Sequence, residues 1–173
     1  FLVEVPDGWQ RKSTLRVKWN AAENAVGTLR YSVSVDDEPI GKKTTRLHAV
    51  LKSRRVGEGR HKLQVFAIDG SGQETGSRRA TLLVDRKPPR VRLRRRGRRV
   101  AVVVADRTSG LEGRTVRVDF GDRRAAGHRA GRRKKRPRVI RHTYRVAGRY
   151  RVTVTARDRA GNKASYSRRV RVR

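Results

Sequence analysis

Apolar and polar residues alternate with a period of two along most of this chain. Leu15, Val17 and Trp19 are separated by Arg16 and Lys18, and Tyr31, Val33 and Val35 by Ser32 and Ser34. The same alternation marks Ala80, Leu82 and Val84, then Val100, Val102 and Val104, then Val116, Val118 and Phe120. It returns at Tyr150, Val152, Val154 and Ala156 and at the closing Val170 and Val172. Side chains two residues apart on a strand share a face, so each run predicts a strand buried on one side and wet on the other. Turn formers stand between the runs: Asp36-Asp37, Gly57 to Gly59, Asp69 to Gly72, Ser109-Gly110, Gly121-Asp122, Gly148 and Arg159 to Asn162. No segment carries a 3.6-residue period. The reading is all-β, with no helix of consequence.

A repeat divides these strands into two sets. GRHKLQVFAIDGSGQ from Gly59 matches GRYRVTVTARDRAGN from Gly148 after a shift of 89 positions. Gly59 falls on Gly148, Ala67 on Ala156, Asp69 on Asp158, Gly72 on Gly161 and Gln73 on Asn162, while Leu63 and Val65 fall on Val152 and Val154. A period of this size is too long for a solenoid unit and suits a complete β-sandwich of about 100 residues. Two tandem Ig-like β-sandwich domains follow, residues 1–87 and 91–173. Pro88 and Pro89 lie in the linker, 88–90; neither can donate to a strand ladder and both hold the backbone extended. The expectation is two domains end to end.

Composition narrows the function classes. The 173 residues include no Cys, so disulfides, thiolate zinc sites and cysteine nucleophiles are excluded. No apolar run reaches the ~18 residues of a membrane span. The chain begins at Phe1 and not at Met. It is read as a processed product or a piece of a longer protein, with a removed signal peptide and further domains both open. There are 47 Lys plus Arg against 15 Asp plus Glu, for a net charge of +32. Residues 1–88 hold 17 basic and 10 acidic side chains, and residues 89–173 hold 30 and 5. The excess thus belongs to the second half, and such a field attracts polyanions. Of the basic residues 37 are Arg and 10 are Lys. A GC-rich coding sequence would favour Arg over Lys, but that explains only part of the excess over acids.

The second half resembles a PKD domain, the polycystic kidney disease-type Ig-like module. The resemblance rests on VRVDFGD at Val116 to Asp122, HTY at His142 to Tyr144 and AGRYRVTVTARDRAGN at Ala147 to Asn162. Arg123 stands where the family's FGDG has its last Gly. The first half is similar to bacterial Ig-like or fibronectin type III-like modules, on YSVSVDDEPI, GRHKLQVFAIDGSGQ and the closing VDRKPP. The resemblance implies extracellular or cell-surface spacers, or adhesive and carbohydrate-contacting units, often attached to other domains.

The motif residues have structural roles to fill. Gly121 and Asp122 form a turn in which the carboxylate can accept backbone N–H groups. Tyr144, beside His142, can anchor its hydroxyl to nearby backbone as the tyrosine corner does in Ig-like folds. Asp158, Gly161 and Asn162 bracket a tight turn. Its oxygens could contribute to a Ca²⁺ site, but such a site commonly needs six or more oxygens, and Arg157 and Arg159 flank Asp158. A self-satisfied turn is the expectation, with no metal and no cofactor. H-E-x-x-H, G-x-S-x-G and G-x-x-x-x-G-K-[ST] are all absent. The expectation is therefore no enzyme.

What remains is basic. Residues 123–138 read as a long connection too charged to pack, with Arg129, Arg132, Arg133, Lys134, Lys135, Arg136 and Arg138 as candidate polyanion contacts. If the last strand pairs antiparallel with 149–158, Arg169, Arg171 and Arg173 lie near Arg149, Arg151 and Arg157, and Arg117 joins them. Arg94, Arg95, Arg96, Arg98 and Arg99 surround a turn at Gly97. The leading expectation is a non-catalytic extracellular spacer or adhesion protein whose basic second domain holds anionic polysaccharide or cell-wall polymer. Sequence-blind nucleic-acid binding is the alternative, because few aromatics interleave the arginines and no recognition helix exists. A third reading makes these the accessory domains of a larger secreted hydrolase.

Overall fold

The computed structural model describes residues 1–23, 26–122, 125–128 and 136–173, with the backbone alone for 125–128. It divides into two compact units, Phe1–Arg86 and Lys87–Arg173.

In the first unit the chain forms β1 (Val3–Glu4), β2 (Trp9–Gln10), β3 (Thr14–Trp19), β4 (Arg30–Val35), β5 (Glu38–Pro39) and β6 (His48–Lys52). A single helical turn, α1 (Ser53–Val56), precedes β7 (Gly59–Ile68), β8 (Glu74–Gly76) and β9 (Ala80–Val84). One sheet has the order β1-β3-β6, and the other runs β2-β9-β7-β4-β5 with β8 also on β7. Alternation does what it predicts in β3, where Leu15, Val17 and Trp19 are buried and Thr14, Arg16 and Lys18 exposed. These residues and Leu51 meet Tyr31, Val33, Val35, Leu63, Val65, Leu82 and Val84 of the other sheet in one core. Burying each such side chain stabilises by about 1.5–3 kcal/mol relative to exposure. Asp36 and Asp37, at φ 54° and 70°, form the two-residue turn from β4 to β5. Two successive positive φ values match the twist of a hairpin, and Asp tolerates them through local hydrogen bonding. Here Asp36 accepts the Lys62 N–H at 2.8 Å and faces His61 Nδ1 at 2.8 Å. The hydrogen bond from His61, then that from Lys62, holds the Asp36 carboxyl below its ordinary range.

The second unit contains β10 (Arg90–Arg96), β11 (Arg99–Ala105), β12 (Val116–Asp119), β13 (Ala125–His128), β14 (Arg138–Thr143), β15 (Gly148–Arg157) and β16 (Lys163–Val172). Its sheets are β10-β11-β14 and β13-β12-β15-β16. The first, second and fifth strands thus face the third, fourth, sixth and seventh, the sheet-switching order of an Ig-like sandwich. Val100, Val102, Val104 and Ile140 project from one sheet, and Val116, Val118, Val152, Val154, Ala156, Val170 and Val172 from the other. Leu111, Phe120 and Tyr144 complete this core.

Two expectations need correction. The stretch 123–138 is not one unpaired connection, because Ala125–His128 pairs antiparallel with β12, Val118 opposite Ala126. Arg138 already belongs to β14, opposite Val104. The Ala-Ala-Gly-His segment is short and nearly uncharged, so it can join the free edge of β12 although basic residues flank it. Strands β6, β10 and β14 also go beyond the runs found by alternation alone. In β10 only Val91 and Leu93 carry the apolar signal among five arginines.

Candidate functional site

The repeated turn is the same object in both units. Asp69 N–H donates to the Gln73 carbonyl at 3.1 Å and Gly72 N–H to the Asp69 carbonyl at 3.1 Å. In the second unit Asp158 N–H donates to the Asn162 carbonyl at 3.1 Å and Gly161 N–H to the Asp158 carbonyl at 3.2 Å. The side chains repeat too: Asp69 Oδ1 accepts the Gln73 N–H at 3.0 Å, and Asp158 Oδ1 the Asn162 N–H at 2.8 Å. Gly72 and Gly161 supply φ of 87° and 85°. Asp158 Oδ2 further accepts from Asn162 Nδ2 at 2.9 Å. Buried Asp106 buttresses the adjoining loop, its Oδ1 accepting Gly110 N–H at 2.7 Å and Thr108 N–H at 3.1 Å. A carboxylate oxygen of Asp106 lies within 4.8 Å of one of Asp158. The bonds described tie both carboxylates into the backbone. The pair by itself assigns no metal.

The residues of the FGD and HTY motifs converge on one stack. The His142 ring lies on Phe120 with centroids 4.3 Å apart, and Tyr144 meets its edge at 4.7 Å. Tyr144 in turn stacks on Tyr150 at 4.1 Å. The Tyr144 hydroxyl donates to the Phe120 carbonyl at 2.8 Å, the anchoring expected of a tyrosine corner. Burial first, then the charges of Asp122, Tyr150 and Asp119, pushes its hydroxyl up to about 12. Asp122 departs from its expected role. Its Oδ2 sits 2.8 Å from His142 Nε2, and the backbone N–H of Gly121 goes to Asp119 Oδ1 at 2.8 Å. The Asp122–His142 pair is largely buried, and its ring is packed between Phe120 and Tyr144, so it braces the motif. Gly121 has φ 75°, and a Cβ there would meet the Arg151 carbonyl oxygen at 2.6 Å and its nitrogen at 3.0 Å.

The basic residues fall into three groups. Arg129, Arg132, Arg133, Lys134 and Lys135 lie outside the described residues. Arg136 is exposed, whereas Arg138 is half-buried at the start of β14. The third group is set by the β15–β16 ladder, which pairs Arg149 with Arg171 and Arg151 with Arg169. All four are exposed. Arg157 faces Lys163 in place of a distal arginine, Arg117 pairs with Thr155, and Arg173 lies one residue past the Gly148–Val172 pair. Antiparallel pairing explains this: positions sum to a constant along a ladder, so Arg157, at its turn end, cannot reach 171 or 173. Among the described residues none of the four paired arginines has a carboxylate partner. Sequence reasoning missed Arg90, Arg92 and Arg141 altogether. Arg90 and Arg92 had a signal in R-V-R-L-R at 90–94, a period-two run with arginine in the polar places, whereas Arg141 is placed only by the pairing of β11 with β14.

Residues 96–173 match the family model of the PKD domain. Among solved structures the chain is similar to chicken interferon gamma receptor alpha chain, at 13% identity and TM-score 0.42 over 98% of this chain and 96% of that one. It is similar to the fibronectin(III)-like modules of Clostridium thermocellum CbhA, at 14% and 0.42 over 99% and 94%. A two-domain fibronectin type III segment of chicken tenascin aligns at 14% and 0.39 over 98% and 97%. Similarity at this level carries no argument about ligand, partner or activity. No curated protein matches the chain.

Two outcomes follow from the stack. Gly121→Ala lowers stability by at least the about 1–3 kcal/mol of a left-handed non-glycine residue. The β15 backbone must also shift, and a loss below about 1 kcal/mol in denaturant titration would show that it gives way freely. Between about pH 10 and pH 12 the unfolded chain sheds the Tyr144 proton while the folded chain keeps it, so stability falls as pH rises through that window. Tyr144→Phe costs about 0.5–1.5 kcal/mol at neutral pH through the lost hydrogen bond. It also flattens that alkaline fall. Parallel urea-derived stability curves for both proteins from pH 8 to 12 would contradict this.

Proposed function

Taking residues 96–173 as a PKD domain, we propose that this protein is a non-catalytic extracellular or surface-attached spacer and adhesion module whose second unit holds anionic polymer. PKD domains are typical of extracellular proteins and generally serve as non-catalytic modules. Among the described residues no helix is long and apolar enough to cross a membrane. The observation that carries the reading is the ladder of opposed arginines, Arg149 with Arg171 and Arg151 with Arg169.

Like charges directly opposite on neighbouring strands destabilise a sheet by up to about 1 kcal/mol per pair. Arginine tolerates this better than lysine because its charge is spread over a planar, weakly hydrated fork. An anion bridging each pair turns the repulsion into two charge-assisted contacts. Serine and threonine continue the same face, with Thr153 opposite Ser167 and Thr155 opposite Ser165. Their hydroxyls can accept or donate to a hydrated polysaccharide. Within the described strands the one carboxylate on this face is Asp119, opposite Thr153, and at the turn end Glu112 Oε2 lies 3.5 Å from Arg157 Nε.

The test uses Arg151→Gln with Arg171→Gln, which removes one member of each pair. Without polymer the double variant is more stable than the parent by about 0.2–1 kcal/mol per relieved pair. With an acidic glycan such as heparin it binds more weakly, and its affinity depends less steeply on salt. Thermal unfolding and a salt titration read the two effects. Parent-like binding of a folded variant would defeat the proposal.

A further inference from the structure

We propose that the outer face of the β10-β11-β14 sheet is a second anion site, a trough that holds an extended alditol-phosphate polymer. It is independent of the β15–β16 arginine ladder, which belongs to the other sheet. The register places eleven side chains on this face. On β10 they are Arg90, Arg92, Arg94 and Arg96, and on β11 they are Arg99, Ala101, Val103 and Ala105. On β14 they are Val139, Arg141 and Thr143. Six are arginines and none is acidic. Among the described residues none of the six has a carboxylate partner.

The face is concave. Two cavities succeed one another along β11, one of about 390 Å³ over Val103 and Ala105, the other of about 640 Å³ over Ala101. Arg90 and Arg92 wall the first, and Arg94, Arg96 and Arg141 the second. The floor is small and apolar, made by the half-buried Ala101, Val103 and Ala105. The single carboxylate at the margin, Asp106, is buried, with Oδ1 bonded to Thr108 and Gly110. A charged edge strand guards a sheet against strand addition. That role does not require Arg141 on the opposite edge or an apolar strip between two charged rims.

Spacing and chemistry select the occupant. Arginines two residues apart on β10 repeat every ~6.7 Å. Six backbone bonds separate successive phosphates in a glycerol-phosphate chain. Three bonds of extended chain cover at most about 3.8 Å, so the phosphates recur at about 7 Å, in step with the arginines. The aliphatic carbons between them fit a floor of Ala and Val. A single-stranded nucleic acid has the same number of bonds between phosphates, but its bases need aromatic faces to stack on. None of the eleven residues is aromatic.

Full-length protein is titrated with poly(glycerol phosphate), an oligo-dT carrying the same number of phosphates, and heparin. Parent binding to poly(glycerol phosphate) is expected to exceed binding to oligo-dT. The triple variant Arg92→Gln, Arg94→Gln, Arg141→Gln should lose about tenfold or more in affinity, with a salt slope shallower by roughly 2. A control of equal charge change in the first unit, Arg11→Gln, Arg30→Gln, Arg46→Gln, should lose about twofold at most, as long-range steering would. Circular dichroism and unfolding curves establish that each variant is folded. Amide shifts at Ala101 and Val103 on adding polymer locate the contact, while retained heparin binding by the triple variant separates this face from the ladder on the other sheet. Equal losses in trough and control variants, or no shift at β11, would overturn the site. Tighter binding of oligo-dT would overturn its assignment to an alditol phosphate.

Discussion

The register between β15 and β16 is the constraint on which the second unit depends. Ten residues of each strand pair in an unbroken antiparallel ladder that starts at the Asp158–Asn162 turn. Sliding either strand by one residue would turn its own valines, Val152 and Val154 or Val170 and Val172, out of the core and bring arginines in. The turn prevents this by bonding Asp158 to Asn162 through both backbone and side chain. The same register that buries the valines opposes Arg149 with Arg171 and Arg151 with Arg169. Core and charged face are thus two consequences of one pairing. The interior cannot be kept while the arginines are moved apart.

Alternation and repetition carried most of this into view from the sequence. Leu63 and Val65 matching Val152 and Val154 located the long central strand of each unit, and Asp69 matching Asp158 located its turn. Both succeeded because they are local: period-two patterning and a five-residue hydrogen-bonded loop need no knowledge of distant partners. That the Tyr144 hydroxyl would anchor to backbone was also legible, since buried phenols usually find a hydrogen-bond partner, although Phe120 as the acceptor was not. Asp122 was misread because its choice between a backbone N–H and the His142 ring is decided across the fold, twenty residues away. Ala125–His128 escaped for a related reason. A short segment without large apolar residues becomes a strand only because β12 offers it an unpaired edge.

The arginine-walled face was hidden by the same signal that reveals strands. In β10 the polar places are all arginine, so Arg94 to Arg99 read as a cluster around Gly97, although they form a hairpin with Arg96 opposite Arg99. That Arg90, Arg92 and Arg94 share a rim follows from period two once the strand is known. That Arg141 stands across the sheet follows only from the pairing of β11 with β14. Charge clusters in a β protein are properties of register, and counting along the chain joins residues that point to opposite faces while separating those that share one.

Salt acts on these two consequences in opposite directions. Raising ionic strength screens arginine from arginine, relieving the strain that the ladder imposes on the fold, while it also removes the counterion release that favours a polymeric anion. Stability and binding therefore draw on the same uncompensated charge. With only five carboxylates in residues 89–173 the second unit cannot neutralise itself, and its hydrocarbon interior has to outweigh that repulsion whenever no anion is present. The valine-rich sandwich meets that demand because β-branched side chains lose little rotamer freedom on burial and fit the pleated surface closely. A soft or polar core would not leave the margin that a surface of this charge requires.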